Sequence, residues 1–167
     1  KLKKAGIEEG VVNVHHFADK IEAWMQEQDW ICADEKDMGA GKMLVQVSDE
    51  RVRLLETGGA VLHAAKYLED CGHFLIHNVD ILSNADLLSL YERSASTTML
   101  VSQRTTRRYL LFDRANRLVG WTNIATGEIK SPYPEIKALE QDYQLSVLET
   151  QFQKYAYSGI QVFHPSL

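Results

Sequence analysis

The chain has 167 residues, of which 45% are hydrophobic and 25% charged, enough for one ordinary soluble domain with a real core. Its net charge of -5 argues against a general nucleic-acid binder, whose phosphate affinity is built from a surplus of Lys and Arg, and leaves room only for a local basic site. Cys32 and Cys71 lie far apart with no Cys-x-x-Cys spacing, and no signal peptide or membrane-length apolar run occurs, so the chain reads as reduced and cytoplasmic, without a disulfide framework.

The first residues, Lys1 to Gly6, read as the last turn of a helix, and the chain stops at Leu167 just after an apolar strand and a proline. The expectation is an internal piece of a longer protein. Val11 to Val14 is a short β-branched strand, and the segment from Asp19 to Trp30 places Ile21, Trp24 and Met25 at helical spacing. Met43 to Val47 is the next strand, followed by a polar stretch, Ser48 to Arg53, that leads into Leu54-Leu-Glu-Thr-Gly-Gly59. Ala60 to Glu69 repeats Val61, Leu62, Ala65 and Leu68 on one helical face, and Phe74 to Ile76 is the strand after it. A strand, helix and strand of this length predict a right-handed parallel crossover. The residues after Val14, Val47 and Ile76 should then gather on one sheet edge, making His15, Thr57 to Gly59 and Asp80 candidate neighbours.

Beyond Asp80 the pattern changes. Ala85 to Glu92 reads as helix and Thr98 to Val101 as strand, while Arg108 to Phe112 and Leu118 to Trp121 flank Asp113 to Asn116 as a hairpin, so the sheet should be mixed. Ser131 to Pro134 marks a loop, Glu135 to Lys154 carries no clear signal, and Tyr155 to Phe163 is a final strand containing Gly159.

Several constellations could carry chemistry. The apolar strand at Phe74 ends in Asn78-Val-Asp80, and in an open α/β sheet ligands bind beyond the carboxyl ends of parallel strands. Asp80 could hold Mg²⁺, which takes one or two protein carboxylates and completes its shell with water and phosphate, or it could simply form a turn. Thr57-Gly-Gly59 before a helix could let a ligand approach bare backbone and free N–H groups, or could be a plain helix cap. His15 and His16 point apart on an extended chain, which is poor zinc geometry, and His73 and His77 read as structural. Arg104, Arg107 and Arg108 could grip a phosphate or sit in a solvated turn. Gly120-Trp121 and Ser158-Gly159 could face a sugar ring; core packing for Trp121 and a close strand contact for Gly159 are the competing readings.

Taken together, Val11-Val-Asn-Val-His-His16, Ser48-Asp-Glu50, Leu55-Glu-Thr-Gly-Gly59, Phe74-Leu-Ile-His-Asn-Val-Asp80 and Tyr157-Ser-Gly-Ile160 resemble the sugar-1-phosphate nucleotidyltransferase family. Arg108-Tyr-Leu-Leu-Phe-Asp113 points within it to proteins like mannose-1-phosphate guanylyltransferase or muramate-phosphate uridylyltransferase. The resemblance implies an α/β, Rossmann-like mixed and mainly parallel sheet flanked by helices, of the GT-A-like nucleotide-diphospho-sugar transferase type, with residues 1–167 as a single domain incomplete at both ends. It implies that Thr57, Gly58 and Gly59 lie along base and ribose, that Asn78 shapes the same strand end, that Asp80 holds Mg²⁺, and that Gly159, Arg108 and Trp121 border the sugar phosphate. The implied partners are a nucleoside triphosphate and a sugar 1-phosphate, with no nucleic acid and no membrane, and self-association is open.

The family's glycine-rich triphosphate loop has no match in Lys1 to Gly10, and its second metal carboxylate has none before Leu167. The chain alone is therefore expected to be inactive and the protein that contains it active. A nucleotide-sugar-binding regulatory domain and a GT-A-type glycosyltransferase are the alternatives on the same fold.

Overall fold

The computed structural model describes residues 2–69, 71–93, 97–143 and 145–164. They divide into two compact units, one made of Lys1–Phe74, Asn84–Ser96 and Phe163–Leu167, the other of Leu75–Ser83 and Thr97–Val162.

The first unit begins with a 3-10 turn, Lys3–Ala5, closed by Gly6 at a φ of 83°, as the sequence Lys-Lys-Ala-Gly predicts for a helix end. It then forms β1 (Glu9–Val14), α1 (Ala18–Gln26), β2 (Ile31–Cys32), β3 (Met43–Asp49) and α2 (Glu56–His63), with α3 (Leu87–Glu92) joining later in the chain. The three strands lie in the order β1-β3-β2 and are parallel, with Asn13 opposite Ser48 and Val14 opposite Asp49. The central strand β3 buries Met43, Leu44 and Val45 in succession, as a strand covered on both faces does. Met25 of α1 packs on Met43 and Val45, joined by Ile21, Ile31 and Val47. That contact uses the helical spacing of Ile21 and Met25; Trp24 projects outward at 52% exposure.

The second unit holds most of β4 (Phe74–His77) and β9 (Gln153–Phe163), with β5 (Thr97–Ser102), β6 (Arg108–Phe112), β7 (Leu118–Asn123), β8 (Glu128–Lys130), α4 (Pro134–Lys137) and α5 (Leu145–Gln151). The sheet order is β4-β9-β6-β7-β8, and β5 also pairs with β9. β6 pairs antiparallel with both β7 and β9, and β7 with β8. The β6–β7 turn is the expected one: Asp113 Oδ1 accepts the N–H groups of Ala115 and Arg117, each at 2.9 Å, and Asn116 takes a φ of 59°. A register shift sets Leu111 opposite Gly120 and Phe112 opposite Leu118, and Val119 joins Leu111, Ile129, Ile136 and Leu148 in the core. The stretch with no clear signal, Glu135 to Lys154, thus supplies α4 and α5, which bring Ile136 and Leu148 onto that core.

Two expectations are corrected. The sheet is not mainly parallel: β1, β3 and β2 form a three-stranded parallel sheet, and the hairpin strands form a separate antiparallel arrangement. Nor does the Phe74 strand return beside Met43 to Val47. β3 has β1 along one side and β2 at Met43 and Leu44 on the other, and β4 pairs instead with the eleven-residue β9. Among the described residues no helix is long and apolar enough to cross a membrane.

Candidate functional site

In the first unit, the carboxyl ends of β1 and β3 carry a connected polar group. Asn13 Nδ2 donates to Glu50 Oε1 at 2.9 Å and to the Ala60 carbonyl at 3.2 Å. Glu50 Oε2 accepts the Leu55 N–H at 3.2 Å, and the Glu50 N–H donates to the Val14 carbonyl at 2.7 Å. His15 Nδ1 lies 2.7 Å from the Glu50 carbonyl oxygen; a carbonyl only accepts, so Nδ1 carries the proton and Nε2 of the neutral ring is the acceptor. Ser48 Oγ lies 2.9 Å from His63 Nδ1, tying β3 to the end of α2.

These contacts hold the start of α2. Thr57, Gly58 and Gly59 are not a loop before the helix: they lie in its first turn, because the chain turns at Leu55 and Glu56, the latter at a φ of 60°. Leu55, at the cap position, supplies no side-chain hydrogen bond, so the first N–H groups of α2 are not capped by it and retain donor capacity. Thr57 and Gly58 are exposed, and a Cβ on Gly58 would meet nothing within 4 Å. Gly59 has a packing reason to be glycine: a Cβ there would come within 2.9 Å of Leu55 Cβ.

In the second unit, the turn after β4 is seated on β9. The Asn78 N–H donates to the Gly159 carbonyl at 2.9 Å, and the Ile81 N–H donates to the Asn78 carbonyl at 3.3 Å. Gly159 has a φ of 75°, and a Cβ on it would lie 2.7 Å from Ile81 Cγ1 and 3.3 Å from Asn78 Cβ. A side chain there would be both strained and blocked. The turn presents Asp80 in the open, with no hydrogen-bond or ion-pair partner among the described residues. A lone exposed carboxylate with both oxygens available suits Mg²⁺ better than a softer ion, because Mg²⁺ keeps water and phosphate in most of its shell. Among the described residues no three His, Cys, Asp or Glu side chains gather as a metal cluster.

The sugar-side candidates are more scattered. Trp121 is half-buried in a cross-strand row, Leu110, Trp121 and Lys130, with the Lys130 ammonium 5.1 Å from its ring centroid. By strand alternation this row faces away from core residues Leu111 and Thr122, and it borders an open hollow of about 520 Å³ that also takes in Ser131 and Pro132. Arg108 is exposed and paired with Asn123, two residue pairs along the same hairpin. The structure therefore puts Asn78 and Asp80 in one turn seated on Gly159 of β9, and places Trp121 and Arg108 separately on β7 and β6. Arg104 donates to the Tyr157 carbonyl at 3.3 Å, so of the three clustered arginines it has a structural partner.

Sequence reading passed over two residues. Glu50 stood in Ser48-Asp-Glu50, one of the segments that carry the resemblance, but was given no role of its own, and it is 5% exposed. Ile81 read as an ordinary apolar residue, and only its approach to Gly159 gives it a role.

No family model matches the chain. Over 80 residues, 48% of its length, the chain is 39% identical to the N-acetylmuramate alpha-1-phosphate uridylyltransferase of Caulobacter vibrioides, covering 29% of that protein. Its fold is similar to the crystal structure of HddC from Yersinia pseudotuberculosis, with a TM-score of 0.63 at 16% identity, and to that of HddC complexed with GMP-PN, with a TM-score of 0.62 at 18% identity. In each case 99% of this chain is covered and 60% of the HddC chain. The likeness to a uridylyltransferase bears out the resemblance to the sugar-1-phosphate nucleotidyltransferases. The chain spans less than two thirds of each of these proteins.

Proposed function

We propose that the protein carrying this chain transfers a nucleotidyl group from a nucleoside triphosphate to a sugar 1-phosphate, releasing pyrophosphate and a nucleotide sugar. The observation that carries the reading is the turn Asn78 to Ile81, seated on Gly159, with a carboxylate at Asp80 that has no partner among the described residues. The likeness to a muramate-phosphate uridylyltransferase supports the reaction class, and the complex of the similarly folded HddC with GMP-PN supports a nucleotide as ligand.

In this reading the uncapped first turn of α2 receives the base and ribose. Backbone N–H groups of Thr57 and Gly58 donate to acceptors on the base edge, and glycine at 58 lets the nucleoside lie against the backbone. Asp80 holds Mg²⁺, with Asn78 fixing the strand end beside it. Bound there, Mg²⁺ supplies charge neutralisation at the phosphate oxygens. Arg108 and Trp121 border the sugar phosphate, the guanidinium through paired hydrogen bonds and the indole through its face. Attack of the sugar-phosphate oxygen on the α-phosphorus requires alignment more than a covalent nucleophile, and no side chain of the chain is assigned that role.

Pyrophosphate release by the whole protein, with Mg²⁺ and a panel of triphosphates and sugar 1-phosphates, tests the reading. Formation of a nucleotide sugar is the expected result. Binding without turnover would favour a regulatory domain, and consumption of a nucleotide sugar would favour a glycosyltransferase.

A further inference from the structure

Glu50 is a buried carboxylate whose two oxygens are both engaged by N–H donors: Asn13 Nδ2 at 2.9 Å and the Leu55 backbone at 3.2 Å. Asn13 shares the same amide with the Ala60 carbonyl at 3.2 Å, inside α2. One carboxylate and one carboxamide thus fasten both the residue before α2 and the helix itself to the carboxyl edge of β1. The backbone of Glu50 is fixed in turn, by its N–H to the Val14 carbonyl at 2.7 Å and by the Arg53 N–H and His15 Nδ1, which both reach its own carbonyl, at 3.0 and 2.7 Å. Arg51, next in the chain, forms ion pairs with Asp19 at 3.3 Å, Asp49 at 3.4 Å and Glu22. The fastening replaces a cap. Leu55 gives α2 no side-chain hydrogen bond, and Glu56 takes a φ of 60°, a conformation that costs a non-glycine residue energy and must be held by its surroundings. A serine or aspartate at the cap would have stabilised the helix by occupying the N–H groups of its first turn. Glu50 binds the Leu55 N–H instead, one step earlier, and leaves those groups free.

We infer that Glu50 and Asn13 are positioning residues for the nucleotide: they fix the first turn of α2 on the sheet edge with its N–H groups unspent, and so set nucleotide affinity without touching the ligand. This rests on the reading that Thr57 to Gly59 receive the nucleoside.

The test is a nuclear magnetic resonance titration of the whole protein with UTP and with GTP, following the Thr57, Gly58 and Gly59 amides, for the wild type, Glu50→Gln, Asn13→Asp and the double variant. Glu50→Gln sets an N–H against an N–H, and Asn13→Asp sets a carboxylate against a carboxylate. In the double variant, the new carboxamide at position 50 can accept from Leu55 and donate to the new carboxylate at position 13, which restores that pair with its sense reversed but leaves the Ala60 carbonyl without its donor. Each single variant is expected to weaken nucleotide binding roughly tenfold while still folded, since an unmatched buried polar group costs about that much, and the double variant is expected to recover part of it, the bond to the Ala60 carbonyl staying lost. A purely structural role would lower the unfolding midpoint and leave the affinity of the folded chain unchanged. Should either single variant fail to fold, Asn13→Ala removes only the bridging amide and carries the same comparison. Undiminished affinity in the folded single variants overturns the positioning role and leaves the nucleotide reading standing. Absence of any shift at Thr57 to Gly59 in the wild type overturns both.

Discussion

The Asn78 backbone N–H donates to the Gly159 carbonyl at 2.9 Å, at a point where Gly159 has a φ of 75° and no room for a Cβ. A glycine that could have admitted a sugar to the sheet is in fact filled by its own chain: Ile81 occupies the space a side chain would take. Gly159→Ala should therefore act through the turn that carries Asp80. The left-handed backbone costs about 1–2 kcal/mol and the overpacking about 1–3 more. In thermal unfolding the variant should melt well below the wild type, and Ile81→Ala in the same chain should return the overpacking part. If the double variant is no more stable than Gly159→Ala alone, Ile81 is not what the glycine accommodates.

Asp80→Asn should behave differently. The carboxylate is exposed and unpartnered among the described residues, so its loss should change stability by no more than about 0.5 kcal/mol. Mn²⁺, used as a paramagnetic probe in place of Mg²⁺, should broaden the amides of Val79 to Ile81 in the wild type and not in the variant. Equal broadening in both would remove Asp80 from the metal site.

Tyr157 has a buried hydroxyl with no hydrogen-bond partner among the described residues, and burial pushes its phenol above the ordinary range. Tyr157→Phe should stabilise the chain by about 1 kcal/mol, because an unpaired buried hydroxyl is a cost. The sign of the pH effect follows from the raised value. The unfolded chain ionises this phenol near pH 10 and the folded chain only above that, so the contribution of Tyr157 to stability is level below pH 10 and falls as pH rises beyond it. Urea unfolding between neutral and strongly alkaline pH should show a shallower alkaline decline in the Phe variant than in the wild type.

Leu111 is completely buried among Val119, Ile129, Ile136 and Leu148. Leu111→Ala should cost about 2–5 kcal/mol, the usual range for a cavity left in a packed core. A loss below about 1 kcal/mol on chemical unfolding would mean that α4 and α5 do not close on this sheet face as described.

What the sequence revealed depended on the range of the interaction. Periodicity located β1, β3, β6 and β7 and the hairpin turn at Asp113 to Asn116, because each is set by neighbours within a few residues. It did not reveal the partner of β4, since an apolar run such as Phe74 to His77 fits any open edge and the choice fell to β9, far later in the chain. Thr57 to Gly59 were expected as a loop because paired glycines weaken a helix; tertiary bonds from Asn13 and Glu50 outweigh that preference. The Asn78-x-Asp80 ending was legible as a strand end, whereas the reason for Gly159 lay in a contact with Ile81 that no local pattern announces.

The central claim is tested most directly by incubating the whole protein with Mg²⁺, UTP or GTP and a series of sugar 1-phosphates, N-acetylmuramate 1-phosphate among them, and measuring pyrophosphate and nucleotide sugar together. At least one pair should yield the two products in equal amounts, and Asp80→Asn should abolish both. Absence of pyrophosphate with every pair from a folded wild-type protein, or full turnover by Asp80→Asn, would contradict the account.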